Sequence, residues 1–234
     1  MSSAVVIIPF AIIFLVIVGI ISWRHNKRRL EALQRWADQR GWHLDLAKDH
    51  RFENRFPQFK ILQQGSNRYA YEVLKGSYDD RKVQVFKYHY ETRTTDSKGR
   101  SSTTHHHFSA ALLYLPFTMP ELLIRPEGLF DKLKSFFGFD DIDFESAEFS
   151  RRFAVKCRDR RLAYDMIPPV TMEFLLNQPT RYTLEAEGDY LLITNGRVWK
   201  PEHVDFALDV ADGFLDRIPQ GVVRERLEAQ TWLD

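Results

Sequence analysis

Cysteine is nearly absent from this sequence, since Cys157 is the single cysteine among 234 residues. One thiol cannot form an internal disulfide, which excludes the small disulfide-stapled scaffolds and favours a reducing compartment. Basic residues neighbour Cys157 in the chain, but no second cysteine is present to resolve an oxidised thiol. We therefore expect a buried structural thiol at this position.

The common catalytic signatures are missing as well. The sequence contains no G-x-S-x-G nucleophile elbow, no P-loop and no G-x-G-x-x-G dinucleotide fingerprint. We therefore expect that the protein is not an enzyme, that it has no catalytic residue and that it needs no cofactor.

Charge is missing from the N-terminus. No residue before Arg24 is formally charged, and residues 4–23 read AVVIIPFAIIFLVIVGIISW. A helix of this length spans about 30 Å, which is the thickness of the hydrocarbon core of a bilayer. A cleaved signal peptide would have a basic start and a small-residue cleavage site, and neither is evident. The pattern predicts a short tail at residues 1–3 and one transmembrane helix at residues 4–23.

A basic cluster follows the apolar run: Arg24, Lys27, Arg28 and Arg29. The positive-inside rule places such a cluster in the cytoplasm, so we expect the N-terminus outside and the C-terminal domain in the cytoplasm. Residues 24–43 are predicted to form a basic juxtamembrane helix. Residues 30–234 then carry a net charge of −3, against +1 for the whole chain, which argues against a general nucleic-acid binder.

Residues 44–234 are predicted to form one soluble α+β domain with a mostly antiparallel sheet and flanking helices. Alternating apolar residues predict strands at 69–75, 82–93, 104–115 and 122–125, a hairpin of 149–157 with 161–167, and a hairpin of 182–187 with 190–194. Helical spacing predicts helices at 129–137, after Pro168-Pro169 with Met172, Leu175 and Leu176 on one side, and at 201–218. Residues 42–64 show no clean period. An open sheet and a barrel are both compatible with this pattern.

The second predicted hairpin carries four histidines: His89, His105, His106 and His107. If residues 97–98 form the centre of the turn, His89 lies opposite His106. Glu91 then lies opposite Thr104. A zinc site needs three or four ligands, and no H-E-x-x-H motif or cysteine pair completes this set. The interpretation we favour is a hydrogen-bonded hairpin without a metal. These four histidines are the candidate ligands in the alternative, in which a metal binds.

A second group of candidate contacts lies in the middle of the chain. An acidic stretch at residues 140–148 precedes a basic one at residues 151–161, and the two can pair with each other or the basic one can meet anionic lipid headgroups. Phenylalanines in this region are expected mostly in the core, while an exposed loop of them would contact lipid or a partner. The candidate lipid or partner contacts are Arg151, Arg152, Arg158, Arg160, Arg161, Phe136 and Phe137.

Residues 148–176 read EFSRRFAVKCRDRRLAYDMIPPVTMEFLL. This stretch resembles a bacterial family of membrane-anchored domains of unknown function, whose core runs E-F-x-x-x-F-x-V, a charged turn, A-x-Y, and a proline-led helix with M-E. The matching positions are Glu148, Phe149, Phe153, Val155, Ala163, Tyr164, Pro168 or Pro169, Met172 and Glu173. The resemblance implies a protein of the bacterial inner membrane, and the family offers no catalytic residues to carry over.

Three functions remain compatible with these patterns. The first is a protein-interaction or scaffold module on a membrane anchor, with an unidentified protein or a second copy of the chain as partner. The second is a module that senses anionic lipids, and the third is a metal-dependent hydrolase built on the histidine-rich hairpin. Membrane lipids contact the anchor in every case, and no nucleic acid is expected as a partner.

We predict that a reporter enzyme active only in the cytoplasm is active when it is fused to the C-terminus of the full chain. A reporter active only outside the cytoplasm should then be inactive at the same position, because the basic cluster after residue 23 keeps the C-terminal end of the membrane helix in the cytoplasm. The opposite pair of activities would contradict the predicted orientation.

Overall fold

The computed structural model describes the backbone of residues 3–127 and 141–231 and the side chains of residues 16–127 and 141–228. The chain divides into two compact units, Met1–His43 and Leu44–Asp234. The first unit is built on α1, a single helix over Ser3–Asp38 that runs through both the apolar run and the basic cluster.

Among the described residues, no helix is both long enough and apolar enough to cross a bilayer. Part of the predicted transmembrane segment, residues 4–15, lies outside the side chains that the structure describes. The predicted juxtamembrane helix is the C-terminal part of α1 rather than a separate element.

The second unit is organised around a six-stranded sheet in the order β1-β2-β3-β4-β5, with β6 paired to β4. The strands are β1 His43–Asp45, β2 Ser66–Tyr78, β3 Arg81–Thr95, β4 Ser101–Pro126, β5 Phe153–Cys157 and β6 Thr183–Thr194. The β2–β3, β3–β4, β4–β5 and β4–β6 ladders are all antiparallel. The predicted class, an α+β domain with a mostly antiparallel sheet, is confirmed.

The long strand β4 is the centre of this sheet. The predicted strands 104–115 and 122–125 are both parts of it, so the prediction of a separate fourth strand was wrong. Its first half pairs with β3, its end pairs with β5, and residues 110–124 pair with β6 on the opposite edge. Register shifts between Tyr114 and Leu122 divide the β4–β6 ladder, and such irregularities let a long strand bend.

The predicted hairpin of 182–187 with 190–194 was also wrong, because β6 runs straight through this region. Gly188 has φ +62° and pairs with Met119 inside a register shift. A glycine in the left-handed region fits a bulge as well as a turn, and the long partner β4 favours the bulge here.

The predicted hairpin of 149–157 with 161–167 was wrong, although its residues 153–157 form strand β5. Two helices stand in place of its other parts, α2 over Ala147–Arg152 and α3 over Arg160–Met166. Ser146 accepts a hydrogen bond from the backbone N–H of Phe149, and Asp159 accepts one from the backbone N–H of Leu162. Each N-cap satisfies a backbone N–H group in the first turn of its helix. This favours helices over the predicted strands at these positions.

The described part of the second unit has three further helices: α4 over Pro169–Leu176, α5 over Pro201–Leu215 and α6 over Gln220–Thr231. The predicted helix after Pro168 is confirmed, and the helix predicted at 201–218 is confirmed over residues 201–215, whereas α6 was not predicted. The predicted core side of α5 is buried at Val204, Ala207, Leu208, Ala211 and Leu215, and Ile218, which follows the end of α5, is buried as well. The predicted helix at 129–137 lies outside the described residues.

Residues 42–64, which show no period, supply much of the core. Two short 3-10 helices, Glu53–Arg55 and Lys60–Gln63, bring aromatic and aliphatic side chains onto one face of the sheet. The hydroxyl of Tyr88 donates to the carbonyl of Leu62 over 2.7 Å beneath them. The cluster comprises Phe52, Phe56, Phe59, Ile61, Leu62, Ala70, Val73, Phe86, Tyr88, Phe108, Ala110, Leu112 and Leu192.

Buried polar groups lie along the β4–β6 ladder. Arg125, Thr183 and Glu185 are 1%, 2% and 3% exposed, and each has a side-chain polar atom without a hydrogen-bond partner in the described part of the chain. Burial raises the pKa of Glu185 to about 8, although the backbone N–H of Lys60 donates to its carboxylate. The folded state therefore holds a proton on Glu185 that the unfolded state loses at lower pH.

We predict that the full chain loses thermal stability as pH rises from about 4.5 to about 8, at up to about 1.4 kcal/mol per pH unit from this one group. The direction follows because the pKa of Glu185 is higher in the folded state than in the unfolded state. The stabilisation from its bound proton is therefore complete at low pH and is lost as pH rises. Glu185→Gln should flatten this part of the profile, measured as the unfolding midpoint against pH. The exposed Glu145→Gln is the control, and an equal flattening in both variants would contradict the assignment.

Candidate functional site

The β3–β4 connection sets the geometry of the histidine-rich hairpin. The last pair of the ladder is Thr95 with Ser101, so the connection is residues 96–100. One carboxylate oxygen of Asp96 accepts from the backbone N–H of Arg100 and from that of Lys98, at 2.8 and 2.9 Å. These bonds, with the one from the Arg100 backbone contributing most, hold the pKa of Asp96 below its usual value. Gly99 adopts φ +76°, which completes the turn.

This turn is displaced by half a residue from the predicted centre, and the register changes by one. His89 pairs with His107, Tyr90 with His106, and Glu91 with His105. The predicted pairs, His89 with His106 and Glu91 with Thr104, were therefore wrong. A shift of one residue exchanges the two faces of a strand, so the histidines regroup.

On one face of the sheet lies the histidine cluster, which we define as His89, Glu91, His105 and His107. His89 Nε2 lies 3.2 Å from His105 Nδ1 and 4.0 Å from Glu91 Oε1, while His105 Nδ1 lies 3.3 Å from the same oxygen. One ligand atom from each of these three residues thus lies within 4.8 Å of the others.

His106 is on the opposite face and takes no part in this cluster. Its ring stacks on Tyr90 with centroids 4.5 Å apart, and its Nε2 lies 2.8 Å from the hydroxyl of Thr92. Of the four predicted candidate ligands, the fold therefore brings His89, His105 and His107 together and separates His106.

A bulge in β2 supports the cluster from one side. Asn67 has φ +48° within a register shift between Ser66 and Tyr69, and asparagine tolerates this conformation better than most residues. Its carbonyl lies 3.0 Å from His89 Nδ1, and its side-chain amide donates to Glu91 Oε1 over 2.6 Å. Neighbouring Gly65 must lack a side chain, because a Cβ there would lie 2.1 Å from the carbonyl oxygen of Glu91.

Aromatic rings enclose the buried end of the cluster. Tyr69 stacks on His89 with ring centroids 4.5 Å apart, and the Nζ of Lys48 lies 4.4 Å from the centroid of the Tyr69 ring. The Tyr71 hydroxyl lies 3.1 Å from Nδ1 of His107. Burial, with neighbouring His89 next in importance, lowers the pKa of His107. His107 is therefore neutral at neutral pH.

Sequence reasoning missed Asn67, Tyr69 and Tyr71 as parts of this site. They come from β2, and nothing local marks a bulge at Asn67 apart from the preceding Gly65-Ser66. Glu91 was placed on the hairpin, but the predicted register put it opposite a threonine.

A second concave site lies among the helices. This cleft has a volume of about 940 Å³ and is bounded by residues of α2, α3 and α4 and by the segment before α2. We call it the α2–α4 cleft. Its apolar lining includes Phe144, Tyr164, Ile167, Met172 and Leu176, and its rim carries Asp143, Glu145, Glu148, Glu173 and Arg152.

Arg152 Nη2 lies 2.8 Å from Glu148 Oε1, so the one basic side chain that the described residues contribute to the cleft is paired. The exposed residues Asp143, Glu145 and Glu173 leave the rim acidic. Tyr164 is 44% exposed, and its hydroxyl donates to the backbone carbonyl of Asp143 over 2.8 Å. The cleft therefore combines an apolar floor with a negative rim.

The predicted basic contact residues lie on successive elements of the chain. Arg151 and Arg152 end α2, Arg158 follows β5, and Arg160 and Arg161 begin α3. Within the described part of the chain, Arg152 pairs with Glu148 and Arg161 pairs with Asp165. Lys156 Nζ also lies 3.7 Å from Asp141 Oδ1, so the acidic and basic stretches partly compensate each other.

The other predicted contact residues have separate positions. Phe136 and Phe137 lie outside the described residues. The basic cluster Arg24, Lys27, Arg28 and Arg29 lies on α1. Cys157 is buried, and burial raises the pKa of its thiol, as expected for a structural cysteine.

Comparison with known proteins identifies a related fold but no family. No family model and no curated protein matches the sequence. The structure is similar to a crystal structure of the mycobacterial trehalose monomycolate transport factor A, TtfA, with a TM-score of 0.57 and 12% sequence identity. The match covers 82% of this chain and 95% of that chain. At this identity the likeness shows a shared fold alone.

Proposed function

We propose that this chain is a single-pass membrane protein whose cytoplasmic domain is a protein-interaction module, and that the α2–α4 cleft binds a basic, partly apolar segment of a partner protein. The observation that carries the proposal is the pairing of an apolar floor with an acidic rim in a cleft of about 940 Å³.

The membrane anchor rests on the sequence of α1. Residues 4–23 have no charge, Trp23 ends the run, and a basic cluster follows within the same helix. Trp residues favour the bilayer interface and basic residues its cytoplasmic side. The resemblance of residues 148–176 to membrane-anchored bacterial domains agrees with an inner-membrane location.

The chemistry of the cleft selects the kind of partner. A basic segment would pair with the exposed carboxylates of Asp143, Glu145 and Glu173, and apolar side chains would cover the floor beneath. Charge complementarity of this kind gives specificity and speeds association. Lipid sensing ranks second, because Arg152 and Arg161, two of the basic residues proposed for it, pair with Glu148 and Asp165.

The sequence favours a binding role over catalysis. This chain lacks the common catalytic motifs. We therefore place interaction ahead of catalysis, with metal-dependent hydrolysis as the remaining alternative.

We predict that a photo-crosslinking residue in place of Tyr164 captures a partner when the full chain is expressed in its native membrane. Tyr114 is 43% exposed and lies outside the cleft, so the same replacement there is the matched control. The double reversal Glu145→Lys with Glu173→Lys should lower the yield of the adduct at least about fivefold, because it inverts two rim charges.

The reversal Glu202→Lys, at an exposed position on α5, should leave the yield unchanged. An adduct that persists in the double reversal, or that forms equally from position 114, would contradict the proposal. An adduct of the chain with itself would replace the foreign partner by a second copy.

A further inference from the structure

The histidine cluster has the geometry of a metal site, and it shares no residue with the α2–α4 cleft. We propose that His89 Nε2, Glu91 Oε1 and His105 Nδ1 bind one Zn²⁺ ion, with a further coordination position open to solvent. The inference goes beyond the proposed interaction function and does not depend on it.

Two of the three separations already suit a zinc site. The ligand atoms form a triangle with sides of 3.2, 3.3 and 4.0 Å. Zinc bonds of about 2.0–2.2 Å in a tetrahedron place ligand atoms about 3.4 Å apart. The two sides that meet at His105 Nδ1 match this value, and the side between His89 Nε2 and Glu91 Oε1 would have to shorten by about 0.6 Å, a movement of the size that a Glu91 side-chain rotation supplies.

The tautomer of His89 is set by its other nitrogen. Nδ1 lies 3.0 Å from the backbone carbonyl of Asn67, and a carbonyl only accepts, so Nδ1 carries the proton. In the neutral ring, Nε2 then presents its lone pair to His105 and Glu91. A backbone carbonyl that orients the non-ligating nitrogen is a regular feature of metal-binding histidines.

The carboxylate is oriented in the same way. The amide of Asn67 donates to Glu91 Oε1 over 2.6 Å, so one residue of the β2 bulge positions two of the three ligands. Gly65 permits the close approach of the bulge to the backbone of Glu91. The strained left-handed conformation of Asn67 is thus placed where it serves the cluster.

Burial distinguishes the three ligands. His89 is 3% exposed, whereas the side chains of Glu91 and His105 are 19% and 59% exposed. The ion would reach the site from the side of His105, whose exposed ring leaves that side open to solvent. Two imidazoles and one carboxylate form the ligand set of zinc sites that keep one open position.

The ligand types select the metal. Imidazole favours zinc and its transition-metal neighbours over Mg²⁺ and Ca²⁺, which prefer oxygen ligands. His107 lies against His89 with ring centroids 4.7 Å apart, but its nitrogen is engaged by Tyr71, so it packs beside the site rather than completing it.

The test is zinc titration of the full chain, purified in detergent with a tag that contains no histidine and freed of metal with a chelator. A chromophoric zinc indicator should report one tightly bound Zn²⁺ per chain, and zinc should raise the unfolding midpoint. His105→Ala should weaken binding about a hundredfold, because a third of the ligand set is lost. Asn67→Ala should weaken it about tenfold or more through misorientation of His89 and Glu91.

His106→Ala is the matched control, since the same residue type is removed from the next position on the opposite face. It should retain full affinity, and circular dichroism should show native secondary structure for every variant. Co²⁺ in place of Zn²⁺ should give visible absorption bands in the wild-type chain and in His106→Ala but not in His105→Ala.

Three results would overturn the proposal. These are no zinc bound by the wild-type chain, equal loss of affinity in His105→Ala and His106→Ala, and unchanged affinity in His105→Ala. None of these results bears on partner capture at position 164, so the two proposals fail separately.

Discussion

The register of the β3–β4 ladder is the constraint on which the rest of the second unit depends. It runs from Val83 with Leu113 to Thr95 with Ser101, and the Asp96 turn closes it. Because side chains alternate between faces, this one choice decides which residues enter the core and which form the site. Phe86, Tyr88 and Phe108 face the 3-10 helices, while His89, Glu91 and His105 gather on the other side.

The same ladder explains why β2 needs a bulge. His89 and Glu91 expose polar atoms that a regular strand beside them would leave unmatched. The irregular stretch after Gly65 turns the carbonyl and the amide of Asn67 toward those atoms. A buried polar group is costly unless it is hydrogen-bonded, so the local strain at Asn67 is offset by satisfied partners.

The two candidate sites are built in different ways. The histidine cluster is held by strands and by hydrogen bonds between named atoms, which suits a ligand as small as an ion. The α2–α4 cleft is formed by short helices whose ends are fixed by Ser146, Asp159 and Pro169. Its open shape and acidic rim suit a larger and more variable ligand.

Local pattern was sufficient for features that depend on neighbours in the chain. The uncharged run, the strands β2 and β3, the proline-led start of α4 and the core side of α5 all follow from residue spacing. Each of these depends on a period of two or 3.6 residues, which the sequence displays directly.

Features that depend on a distant partner were decided by tertiary packing. Residues 161–167 were predicted as a strand, but the Asp159 cap together with packing against β5 selects a helix. The sequence around Gly188 predicts a turn. In the structure β4 continues beside it, so Gly188 lies at an irregularity within β6 instead. The metal-like arrangement of His89, Glu91 and His105 differs from the predicted one by a single step of register. Only the complete turn from Asp96 to Arg100, with its side-chain hydrogen bonds, determines that step.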